Sequence, residues 1–179
     1  MRYLKKAPPA EERAEADHRA RVAELIDRVR REGDAGVLAL AAEFDGWQGP
    51  VVLDEEKKSA LIAQLPQRQK DDLKFAHDQV RRFAEAQAAS IREFEIEPHP
   101  GVRLGQRIVP VDCAGCYVPG GRYAHAASAI MSITTARVAG VPYVIAATPP
   151  RGDAIDPAVA YAMDLAGADM ILELGGVQA

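Results

Sequence analysis

The chain has 179 residues, 48% of them hydrophobic and 27% charged, enough for one ordinary domain or a domain with a helical appendage. Its 22 basic and 26 acidic side chains leave a net charge of −4, without the basic stripe of a nucleic-acid binder, and no apolar run is long enough for a membrane helix. No apolar core follows the basic start, Met1 to Lys6, as a secretory signal requires, and two cysteines do not make a disulfide scaffold, so the expected compartment is the cytoplasm.

Residues 1–90 read as a helical segment. Val22, Leu25, Ile26 and Val29 share one helical face, Gly33 stops that helix, and Asp34 is expected to cap a short helix through Phe44. Asp45 to Pro50 is a loop. A longer helix is expected to start at Pro66, with Leu73, Ala76, Val80 and Phe83 as its apolar stripe. Lys70, Asp71, Asp78, Arg81 and Arg82 form a solvated opposite face, and His18 and His77 are placed on such charged faces. Glu55-Glu56 and Asp71-Asp72 read as solvated charges, not as acid/base couples.

Residues 91–179 change character. Ile91 to Ile96 alternates apolar and polar residues, His99-Pro100-Gly101 signals a turn, and Val102 to Val109 is the return strand of a β-hairpin. Strand and helix then alternate. The expected strands are Gly115 to Val118, Tyr143 to Ala147 and Met170 to Leu174. The helix His125 to Val138 is apolar nearly all round and so expected to be buried, with Gly140 as its cap. The helix Pro157 to Ala166 is capped by Asp156. The fold class is therefore α/β: a helical segment and a hairpin, followed by a β-α-β-α-β Rossmann-like half-sheet. A three-stranded half-sheet leaves an edge and apolar faces uncovered, so the chain is expected to be a fragment, incomplete at its C-terminus, or to close its sheet with a partner.

Ligands of open parallel sheets bind beyond the C-terminal ends of the strands. Three loops qualify: Pro119 to His125, Thr148 to Asp156 and Gly175 to Ala179. In the first, Gly120 and Gly121 permit close backbone approach, the following helix offers free N–H groups, and Arg122 and His125 add donors. The alternative is a plain turn with a surface charge, and the spacing is not a dinucleotide fingerprint. Cys113 and Cys116 spell CxxC, read here as two ordinary buried thiols because no second ligand pair exists. The four histidines, His18, His77, His99 and His125, form no two-ligand metal motif.

The segment GCYVPGGRYAHAASAIMSITTARVAGVPYVIAATPP, residues 115–150, and the closing GADMILELGGVQA resemble the histidinol dehydrogenase family. Phe44-Asp45 and the approach from Arg107 to Pro110 also fit. Several motifs in fixed order are more specific than any one alone. The resemblance implies an NAD-dependent, zinc-requiring homodimer that oxidises a primary alcohol to a carboxylate in two steps. It implies NAD contacts through Tyr117 and Gln178, the latter across a change from alanine to valine at Val177. The zinc ligands and the Glu-His acid/base pair of the family are expected beyond Ala179, so no catalytic or metal residue is assigned and these residues alone are expected to be inert. Arg122-Tyr123-Ala124-His125 departs from the small apolar residues of the histidine-biosynthetic enzymes and resembles the sulfopropanediol dehydrogenase branch. That implies a small anionic alcohol as substrate, with Arg122 and His125 on its sulfonate, where a guanidinium and an imidazole suit a permanent anion. Arg122 on the NAD pyrophosphate is the other reading, and neither nucleic acid nor membrane is an expected partner.

Overall fold

Helix α1 (Glu12–Glu32) ends at Gly33, whose φ of 57° breaks the helix while its N–H still bonds Val29 O at 2.9 Å. Only glycine adopts such a backbone cheaply. Gly33 itself occupies the cap position of α2 (Asp34–Asp45), so Asp34 is inside the first turn and makes no capping bond, contrary to the expectation. A computed structural model describes residues 12–120 and 123–179. Of the predicted face on α1, Leu25 is buried, but Val22 and Ile26 are exposed, because α2 covers only part of it.

A helix not singled out in the sequence, α3 (Glu55–Ala63), is capped by Asp54, whose carboxylate accepts from Lys57 N–H at 2.7 Å. Helix α4 (Gln67–Ser90) starts one residue after Pro66, which takes the cap position. Its buried stripe differs from the predicted one. Leu73, Ala76 and Val80 face the core, but Phe83 is 67% exposed and Ala84 replaces it. At about 100° per residue, Ala84 lies roughly 20° from Leu73 around the helix and Phe83 roughly 80° away. The same rotation brings His77 inward. It is buried, not on a charged face, with Nδ1 3.3 Å from Asp78 Oδ1 and Nε2 without a partner.

The hairpin is present, with shifted boundaries. Strands β1 (Phe94–His99) and β2 (Val102–Gln106) pair antiparallel around Gly101, whose φ is 80°. Ile91 belongs to the end of α4 as its cap, which is why the alternation starts later than predicted. Every residue of both strands is exposed.

Strands β3 (Cys113–Tyr117), β4 (Tyr143–Thr148) and β5 (Met170–Glu173) form a parallel sheet in that order, linked by α5 (Ala126–Val138) and α6 (Pro157–Ala166). Asp156 caps α6 as predicted, accepting from Ala158 N–H at 2.8 Å. Ala139 caps α5, and Gly140 follows with φ 86°, Gly140 N–H bonding Arg137 O and Val141 N–H bonding Ala136 O. This pair of bonds is a Schellman motif, which needs the left-handed residue. Alternate strand residues point to opposite faces. Cys116, Val118, Val144, Ala146 and Ile171 meet α5 and α6 in the main core, together with Leu61 of α3. Helix α5 is buried on that side alone through Ala129, Ile130, Ile133 and Thr134, while Met131 is 55% exposed, so the expected burial all round does not hold. Helices α4 and α6 flank it and leave its outer side open.

The second sheet face is only partly covered, by Ala41, Trp47 and Val37 against Leu172 and Leu174. Residues 51–53 run antiparallel along the outer edge of β5, with Leu53 N–H on Ile171 O and Glu173 N–H on Val51 O. That edge is thereby closed. No helix among the described residues is long and apolar enough to cross a membrane.

Candidate functional site

The parallel register carries all three strands to the same end, and there the loops after them meet. Val118 N–H extends the ladder to Ala147 O at 2.8 Å, which places Gly120 against Pro149. A Cβ on Gly120 would overlap Pro149 Cγ, and one on Gly175 would lie 2.7 Å from Pro149 Cβ and 3.1 Å from both carboxylate oxygens of Asp45. Two glycines thus let three loops close around one proline. Gly176 turns the last loop with φ 65°.

Two residues singled out by the resemblance arrive at this junction. Tyr117 closes β3, is half exposed, and its hydroxyl accepts from Gly176 N–H at 3.2 Å. Gln178 is buried. Its Nε2 donates to Asp45 Oδ2 at 3.4 Å, and its Oε1 is buried with no hydrogen-bond partner. A buried amide oxygen without a donor costs on the order of 1–3 kcal/mol. An unused acceptor beside a glycine-lined junction is a place for a ligand's N–H or O–H.

His125 stands at the cap of α5 and is half-buried, and its side chain makes no capping bond. Its carbonyl accepts from Ser128 and Ala129 N–H, so the N–H groups of Ala126 and Ala127 lie ahead of the first intrahelical bond. Arg122 lies outside the described residues. The two cysteines lie on opposite sheet faces and differ from the expectation of two buried thiols. Cys116 is buried and its thiol is pushed up by burial, offset in part by Ser132, whereas Cys113 is exposed.

Three participants escaped the sequence reading as site residues. Asp45 reads in the sequence as the start of a loop and as part of the Phe44-Asp45 match, and its contact with Gln178 spans 133 residues. Glu173, fully buried at the end of β5, is gripped by Lys57 Nζ through both oxygens at 2.9 and 2.8 Å, and Lys57 lies 4.7 Å from the Trp47 ring centre. A carboxylate inside the apolar run Met170 to Leu174 was the available signal for Glu173. Nothing in the sequence pairs it with Lys57.

A largely apolar hollow of about 620 Å³ lies on the second sheet face between Val37, Leu38, Val52, Leu172 and Leu174, with Gln178 in its lining. Its lining offers few polar anchors beyond Asp34 and Gln178. Among the described residues no three His, Cys, Asp or Glu side chains form a metal-binding group.

Residues 9–179 match the sequence model of the histidinol dehydrogenase family. The chain is 46% identical over 179 residues to a sulfopropanediol 3-dehydrogenase of Ruegeria pomeroyi, covering 99% of this chain and 41% of that protein. It is 37% identical over 163 residues to a histidinol dehydrogenase of Methanococcus maripaludis, covering 88% of this chain and 37% of the relative. The crystal structure of histidinol dehydrogenase from Elizabethkingia anophelis superposes with a TM-score of 0.82 over 99% of this chain and 39% of that one, at 23% identity, which shows a shared fold. The chain spans about two-fifths of the length of the curated relatives it matches. It belongs to the histidinol dehydrogenase family.

Proposed function

From this family membership we propose that the chain is the cofactor-binding part of an NAD-dependent enzyme that oxidises a primary alcohol to a carboxylate in two steps. The observation that carries the reading is the meeting of Tyr117 and Gln178 at one end of the sheet, with the Gln178 Oε1 acceptor unused. The site fits a dinucleotide. Gly120 and Gly175 leave backbone approachable, and Tyr117 and Gln178 offer a hydroxyl and an amide. Bound NAD supplies the hydride acceptor. Tyr117, Gly176 and Gln178 orient it, and the loop packing against Pro149 keeps the orienting groups fixed. Zinc belongs to the same reading as a family property, and among the described residues no three His, Cys, Asp or Glu side chains form a group to hold it.

The substrate in this reading is 2,3-dihydroxypropane-1-sulfonate, oxidised to sulfolactate. Two features support it: the relative named sulfopropanediol 3-dehydrogenase at 46% identity, and the presence in the sequence of Arg122 and His125 shortly before Ala126. A sulfonate has three acceptor oxygens and a permanent charge, which a guanidinium and helix N–H groups suit. Histidinol, with its amine and imidazole, has no use for them there. Arg122→Ala in the complete enzyme is expected to lower kcat/KM for the sulfonate, by the equivalent of about 2–5 kcal/mol for a buried charge pair. Unchanged efficiency on the sulfonate, or efficient turnover of histidinol by the unaltered enzyme, would overturn the substrate. Weaker NAD binding alone would move Arg122 to the pyrophosphate. The enzyme is read as a homodimer, for which sedimentation of the complete protein is the check. A protein of these residues alone is inert in this reading, and NAD reduction by it with added zinc would contradict that.

A further inference from the structure

An amide side chain has two ends, and which end faces a ligand decides whether the ligand must donate or accept. At Gln178 the neighbour decides. Asp45 presents a carboxylate, which only accepts, at 3.4 Å, so the NH₂ end must turn to it. The carbonyl end is then left buried beside Gly176, where a Cβ would lie 2.8 Å from Oε1, and it has no donor within the chain. The absence of a side chain at Gly175 lets the Asp45 carboxylate approach so closely. Asp45 itself closes α2, immediately before the left-handed Gly46, so its place is set by the end of a helix and not by a free loop.

We propose that Asp45 is a positioning residue that fixes the amide of Gln178 with its carbonyl toward the ligand, making Gln178 an obligate acceptor for an O–H or N–H of the bound dinucleotide. This rests on the reading of Gln178 as a cofactor contact. Asp45 touches neither cofactor nor substrate, and it acts by removing the alternative orientation of the amide. A flipped amide would set Oε1 against the Asp45 oxygens and aim NH₂ at a ligand donor, two repulsive contacts in place of two favourable ones.

The test is a polarity exchange in the complete protein, read as the dissociation constant for NAD by calorimetry. Gln178→Glu places a carboxylate against a carboxylate and is expected to weaken NAD binding at least tenfold. Asp45→Asn, which tolerates either amide orientation, is expected to weaken it about threefold. Asp45→Asn combined with Gln178→Glu restores a donor facing an acceptor and leaves one oxygen for the ligand, so affinity is expected to return to within about threefold of the unaltered protein. Such recovery is the signature of direct coupling, because independent sites would add their losses. Losses that simply add would overturn the proposal. If the Asp45→Asn protein does not fold, Asp45→Ser supplies a hydroxyl donor and the same recovery is expected. If the unaltered protein does not bind NAD, the cofactor reading fails. If it binds and the two positions show no coupling, only the role of Asp45 fails.

Discussion

At the N-terminal ends of β3, β4 and β5, Arg137 donates from Nε to Gly167 O at 2.7 Å and from Nη1 to Val141 O and Pro142 O, and it pairs with Asp169. Asp169 in turn accepts from Val144 N–H at 2.7 Å. One guanidinium thus ties the end of α5 to the starts of β4 and β5, and the polar groups of this cluster satisfy one another. At the C-terminal ends the connections are fewer and longer: Tyr117 to Gly176 at 3.2 Å, Asp45 to Gln178 at 3.4 Å, and a buried amide oxygen with no donor. The difference separates what holds the fold from what is left for a ligand. A saturated network stabilises but has no free donor or acceptor to offer, whereas an unsaturated one leaves a group that a ligand can pair.

The exception at the C-terminal end is Glu173, whose buried charge is held by Lys57. Removing Lys57 strands that carboxylate, so Lys57→Met is expected to have the largest stability effect, about 3 kcal/mol. The value is at the low end for a buried pair because the Lys57 side chain is 30% exposed. Chemical denaturation checks it, and a loss below about 1 kcal/mol would mean that solvent reaches Glu173. Arg137→Ala comes next, with about 2 kcal/mol for its several bonds to backbone and carboxylate, and with NAD affinity unchanged. A change in affinity would break the division between the two ends.

Asp169 gives the smallest effect and a pH dependence. The Val144 N–H, then the hydrogen bond and charge of Arg137, hold its carboxyl below the usual range. A carboxyl whose folded value is lowered stabilises above its unfolded value, and the gain is lost as pH falls through the folded one. The stability advantage of the unaltered protein over Asp169→Asn is therefore expected to be full near neutrality and to shrink below about pH 4. Thermal unfolding across pH 3–7 checks the sign.

Local chemistry made much of this fold readable in the sequence. Asp156-Pro157 opened α6, Gly33 broke the first helices and the apolar run at Tyr143 marked the covered middle strand. Faces were harder, because they depend on what another element covers. Phe83 and Ala84 differ by one residue, and the position of α5 and α6 chooses between them. At the site, Tyr117 and Gln178 came from motif resemblance, and the chain then places them together. Asp45 and Lys57 were illegible as partners, since each meets its carboxamide or carboxylate across more than a hundred residues.

The central claim is that the unsaturated end of the sheet binds the dinucleotide. Titrating NAD into the complete protein and its Tyr117→Phe and Gln178→Leu variants tests it most directly, with Arg137→Ala as the comparison from the other end. The expected result is a loss of affinity of about tenfold for each of the first two, equivalent to about 1.4 kcal/mol, with Arg137→Ala binding normally. Equal affinity in all four proteins, or a loss confined to Arg137→Ala, would contradict the account.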